Sequence, residues 1–173
     1  MSAITLDQIA LPIFTTMLAN MDDWLAKAQT DALARKFDVN VLMQTRLSPD
    51  MLPLTFQIRI ACDNAKLGLA RMTGADVPPR TPVDETLAQA RDRIAATLAY
   101  IAGFDPAKVA ASADQDVSYP IDMAGTLRTQ KGLDYLHSWV LPNFYFHITT
   151  AYALLRHNGV LLGKADYLAG TAS

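Results

Sequence analysis

The three histidines of this chain, His137, His147 and His157, recur at intervals of ten residues. On one straight helix that interval separates neighbours by about 15 Å along the axis, whereas zinc holds its nitrogen ligands at about 2.0–2.1 Å. Three ligands from this segment alone cannot close on one metal unless a break at Pro142 folds the chain back. A tighter set is available. Asn143 and His147 lie four apart, which places them on one helical face, and Thr150 follows three residues later. Gln57 lies three after Leu54 and four before Ala61, near the apolar stripe of an earlier helical stretch. Gln57, Asn143 and His147 can therefore converge inside a helical bundle, with Thr150 beside them as a ligand-binding group. Histidine near neutrality serves equally as metal ligand or general base, so His147 is the candidate catalytic residue. Amide oxygens are weak ligands for zinc or nickel. Residue types alone therefore favour polar side chains that satisfy one another by hydrogen bonds over a closed metal centre.

Other chemistry finds less support. Cys62, the single cysteine, cannot form an intramolecular disulfide, and a mid-helix position gives its thiolate no helix N-terminus. It reads as a buried structural residue. Asp22–Asp23 and the Asp114/Asp116 pair read as solvated surface or loop carboxylates. His157, next to Asn158–Gly159, reads as a helix C-terminal cap. Lys164 and Asp166 read as structural ions near the bundle end. There is no nucleophile elbow, phosphate-binding glycine loop or dinucleotide fingerprint.

Helices must position the candidate set. Ile9, Ile13, Met17, Met21, Trp24, Leu25 and Ala28 recur at helical steps, predicting a first helix over 5–34, bent near Pro12. Residues 37–43 add a short helix. "SPDM" starts the next helical stretch, with Ser48 as N-cap, Pro49 in the first turn and a kink or restart at Pro53. Leu54, Ile58, Ala61, Ala65, Leu69 and Met72 form its stripe, Arg59 and Asp63 an exposed pair, and Gly74 its end. Thr81 and Pro82 open a third helix, with Asp84 and Glu85 favouring its N-terminus and Gly103 closing it. "DVSYPID" and "TLRTQ" predict a short β-hairpin turning near Ala124–Gly125. A fourth helical region runs from 133 to 157, interrupted by Pro142, and "GKADYL" adds a final short turn. Four apolar-faced helices with a long connection before the last predict an all-α four-helix bundle.

The bulk numbers agree with one domain over 1–173. Half of the residues are hydrophobic (51%) and the formal net charge is −2, so no basic excess points to nucleic acid. No run approaches the roughly 20 apolar residues of a spanning helix, and the N-terminus lacks a basic leader. The expected setting is cytoplasmic, without membrane or nucleic-acid partners. Trp139, Phe144, Tyr145 and Phe146 are too many aromatics for one buried face, which points to a homodimer.

The segments "RLSPDMLPLTFQIRIACDNAK" and "LPNFYFHITTAYALLRHNGVLLGKADYL", with the glycine after "ARMT", closely resemble the domain-of-unknown-function family numbered nineteen ninety-three. That family is similar to the DinB/YfiT-like superfamily. The resemblance implies an up-down-down-up four-helix bundle. It also implies three metal-binding histidines, one on the second helix and two four apart on the last, in metal-dependent enzymes that include thiol-dependent transferases. Carried over, those positions fall on Gln57, Asn143 and His147, so two of the three are amides here. Arg156, Gly159 and Asp166 match the superfamily's ending.

The expected function is small-molecule binding in an interior pocket, with the superfamily metal site degenerate. The alternative is a metal-dependent, thiol-using transferase or a hydrolase acting through His147. The expected cofactor is none, with a divalent zinc or nickel ion as the alternative.

Overall fold

The computed structural model describes residues 4–76, 79, 82 and 86–170. They are mostly helical, with one small two-stranded sheet. Helix α1 spans Leu6–Arg35 and contains Pro12. Its stripe is Ala10, Phe14, Met17, Met21, Trp24 and Ala28, stepping by four and three. The first turns thus bury Ala10 and Phe14, with Ile9 and Ile13 packed at the margin of the core. A 3-10 turn, Val39–Gln44, follows.

Helix α2 spans Leu54–Thr73 and begins six residues later than Ser48. Pro53 disfavours helical geometry in the residue before it and has no N–H to donate, and the helix starts only after it. Ser48 instead closes a turn: its hydroxyl donates to Asp50 (2.6 Å) and its carbonyl accepts from the Met51 amide (3.0 Å). Gly74 ends α2 at φ 68°, the left-handed conformation expected of it.

Helix α3 is Leu87–Ala102. Thr86 caps it: its hydroxyl accepts from the Gln89 amide (3.2 Å) while the Gln89 side chain accepts from the Thr86 amide (3.1 Å). The earlier start expected at Thr81, with Asp84 and Glu85, lies outside the described residues, and Pro82 is not helical.

The connection onward carries a short α4 (Pro106–Ala110) and the hairpin β1 (Asp116–Pro120) and β2 (Leu127–Lys131), with Val117 opposite Gln130. The Asp122 carboxylate accepts from the Thr126 amide (2.9 Å) and Gly125 takes φ 82°, which makes the turn where the sequence predicts it.

The last long helical run is unbroken across Pro142. It comprises α5 (Gly132–Tyr135), a π segment (Leu136–Val140) and α6 (Leu141–His157). A proline ring clashes with the carbonyl four residues back, and widening the preceding turn to i→i+5 bonding makes room for it. A short α7 (Lys164–Tyr167) closes the described chain.

Helix α6 packs on α2 and α1, and α3 packs on α2 and α1. Contacts between α1 and α6 advance together along both helices, Phe14 meeting Phe144 (4.9 Å between ring centres) and Trp24 meeting Tyr152 (5.4 Å). Those between α2 and the last helical run proceed in opposite order. Gln57 meets His147, Gly68 meets Val140, and Arg71 meets Tyr135. The approach at Gly68 is close: a Cβ there would lie 2.7 Å from a Val140 methyl. Among the described residues no helix is long and apolar enough to cross a membrane.

Candidate functional site

The site is built where α2 meets α6. Because α2 starts at Leu54, the Leu52 carbonyl stays outside the helix, and the Gln57 side chain turns back to it. Gln57 Nε2 donates to Leu52 O at 2.8 Å. Gln57 is only 2% exposed, so both ends of its amide need partners. With the nitrogen held by Leu52, Oε1 faces His147 Nδ1 at 2.7 Å. An amide oxygen only accepts, so Nδ1 carries the imidazole proton and Nε2 keeps its lone pair.

Nε2 itself has no hydrogen-bond partner among the described residues. It is not sealed in either, since the buried unpartnered side-chain atoms there are Asp7 Oδ1 and Arg59 Nε. His147 is half-buried, with the ring of Phe146 edge-on at 5.1 Å. Burial penalises its charged form and lowers its pKa from 6.5 to about 4, so at neutral pH it is an uncharged acceptor.

Asn143 and Thr150 behave differently from the expectation of a converging set. Asn143 Nδ2 donates to the Trp139 carbonyl (2.7 Å) beside the π segment, and Thr150 Oγ1 donates to the Phe146 carbonyl (2.6 Å). Both side chains return to their own helix. Of the expected site, the structure brings together Gln57 and His147.

That arrangement decides how well a metal fits. Gln57 Oε1 and His147 Nδ1 are spent on each other, and the Asn143 amide nitrogen is spent on the helix. One nitrogen, Nε2, has no partner among the described residues, and among those residues no three His, Cys, Asp or Glu side chains lie close enough to hold an ion. The three positions do not fit a resident zinc or nickel ion.

The remaining candidates are structural. Cys62 is fully buried and its thiol is pushed up to about 12 by burial. Asp22 is not merely solvated, because Arg91 grips both its oxygens at 2.8 Å. Arg59 does not pair with Asp63; it lies over Phe56 (4.8 Å), and Asp63 faces Lys66 (3.3 Å). His157 is exposed, and the Asn158 side chain takes the capping role by donating to Leu154 O (2.7 Å). At the bundle end Arg156 donates to Val160 O (3.3 Å), Gly159 takes φ 92°, and Asp166 pairs with Lys27.

Of the four aromatics, Phe144 is buried and Trp139 and Tyr145 pack against the core, which leaves Phe146 as the exposed one. Sequence reasoning missed the Leu52 carbonyl, although Pro53 was its signal. It also missed the contact of Phe146 with the imidazole, which adjacency in sequence does not announce.

The family model for a domain of unknown function (DUF1993) matches residues 6–168. A crystal structure of a DinB family member protein from Shewanella denitrificans superposes with a TM-score of 0.85 at 39% sequence identity, covering 94% of this chain and 91% of that one. No curated protein matches the chain. With the family model spanning nearly all of α1 through α7, and a DinB family member sharing the fold, the chain belongs to the DUF1993 family of DinB-like helical proteins.

Proposed function

We propose that the chain is a single-domain, cytoplasmic DinB-like bundle of up-down-down-up topology that binds a small molecule beside His147, with the superfamily's metal positions degenerate. The topology is supported by α1 and α6 meeting in the same chain order and α2 and α6 in opposite order. The ends of α2 and α3 also lie together, where the Tyr100 hydroxyl donates to Asp76 O (3.2 Å). One observation carries the function: Gln57, itself anchored on Leu52, holds His147 Nδ1 and leaves Nε2 as an open, uncharged acceptor. Such a nitrogen orients a ligand's donor group or takes a proton from it.

The test is elemental analysis of untagged protein offered zinc, nickel and manganese, paired with ligand screening on the ¹⁵N resonances of His147. The expected result is no stoichiometric metal and ligands that move Nε2. Near-stoichiometric metal that disappears in His147→Ala would overturn the reading in favour of the metal-dependent transferase or hydrolase. That alternative requires the Gln57 oxygen to leave the hydrogen bond it now makes with His147.

A further inference from the structure

We propose that one face of α1, carried by Asn20, Trp24 and Lys27, is a peptide-binding ledge that the chain's own C-terminal segment occupies reversibly, as a strap that opens without unfolding the bundle. The contacts that form the ledge involve neither Gln57 nor His147.

Asn20, Trp24 and Lys27 follow one another at steps of four and three on α1, which puts them on one side of the helix. Each presents a donor. Asn20 Nδ2 donates to the carbonyls of Tyr167 (3.1 Å) and Ala169 (2.7 Å), and Trp24 Nε1 donates to the carbonyl of Asp166 (3.0 Å). Lys27 pairs with the Asp166 carboxylate. Asn20 is only 4% exposed and Trp24 is fully buried, so their N–H groups need partners. Backbone carbonyls of the segment supply them, which is how a protein holds a peptide irrespective of its side chains. The Tyr167 side chain adds selectivity. Its ring stacks on Trp24 at 5.5 Å, and its hydroxyl meets Thr149 Oγ1 at 2.9 Å.

The segment also folds on itself. The Asp166 carboxylate accepts from the Gly163 amide (2.7 Å), and the amides of Asp166 and Tyr167 donate to the Gly163 carbonyl (3.0 and 3.3 Å). It buries little: α7 has no buried residue, and Leu168 is 46% exposed. An element held by a few polar contacts and little apolar burial sits at the low-stability end of a fold. Helix α1, by contrast, is anchored in the core by Met17, Leu18, Met21 and Leu25. Opening therefore bares the Asn20 amide and the Trp24 indole on a helix that stays in place.

Hydrogen exchange of the full chain reads this opening at the Trp24 indole N–H. That exchange is expected to be insensitive to low urea, whereas amides in the middle of α2 exchange faster as urea promotes global unfolding. Tyr167→Ala removes the stack and the hydrogen bond to Thr149, and should speed indole exchange about ten- to a hundredfold. The capped peptide GKADYLAG, residues 163–170, is then added to the Tyr167→Ala chain at about millimolar concentration, comparable with that of a tethered segment. It is expected to shift the Trp24 indole resonance saturably and to restore its protection, and the same peptide with alanine for tyrosine should bind more weakly.

Indole exchange that follows urea as the α2 amides do would make the segment part of the cooperative core and overturn the strap. A peptide that leaves the Trp24 resonance and its protection unchanged would overturn the ledge as a binding site.

Discussion

Acidification should destabilise this protein through His147, and the size of the effect follows from its burial. The imidazole ordinarily titrates at 6.5, and burial holds it at about 4 in the folded chain. Between those values the unfolded chain takes up a proton that the folded chain refuses. The sign is therefore set: the contribution is fully present above about pH 6.5 and is lost as pH falls toward about 4. Going from about pH 7 to about pH 4.5 should remove about 2.5 kcal/mol, a large fraction of the 5–15 kcal/mol typical of a domain.

Carboxylates also titrate in this window, so wild type must be compared with a variant lacking only the imidazole. His147→Asn suits, because its amide nitrogen can replace Nδ1 as donor to Gln57. Urea unfolding of both proteins at the two pH values gives the assay, and the wild type should lose about 2.5 kcal/mol more than the variant. Parallel losses would refute the reasoning. So would a folded-state NMR titration of His147 with a midpoint near its ordinary value, since the Nε2 acceptor would then be charged just below neutrality.

Further outcomes follow from the same packing. Gln57→Leu strands the Nδ1–H and should cost about 1–3 kcal/mol in urea unfolding. Gln57→Glu places a negative charge on the imidazole and should raise the His147 titration midpoint, read by NMR; an unchanged midpoint would mean that the two side chains do not meet in solution. Gly68→Ala drives a methyl into Val140 and should cost about 1–3 kcal/mol, partly restored by Val140→Ala in a double-mutant cycle. Cys62, buried with its thiol pushed up to about 12, should resist iodoacetamide at about pH 8 in the folded protein and react once unfolded; labelling at the rate of a free thiol would contradict its burial.

Much of the architecture was legible in the chain because it is encoded between near neighbours. Apolar steps of three and four marked α1, α2, α3 and α6, Gly74 marked an end that needs a positive φ, and turn residues marked the hairpin. Local rules failed where two of them competed. Ser48 and Pro49 form a good helix start, but Pro53 overrides them five residues after Ser48. Pro142 reads as a break, but the preceding turn widens and carries the helix past it.

The site belongs to the other category. Nothing near His147 in sequence shows that Gln57, ninety residues away, spends its oxygen on Nδ1, or that Asn143 spends its nitrogen on its own helix. Those choices depend on which helix faces meet and at what height, which the Gly68–Val140 approach and the late start of α2 set together. The sequence by itself determined the apolar faces of α1, α2, α3 and α6 and the residue types available to a site. Only the tertiary structure decided which polar atoms are already paired, and hence that one nitrogen of His147 is left open.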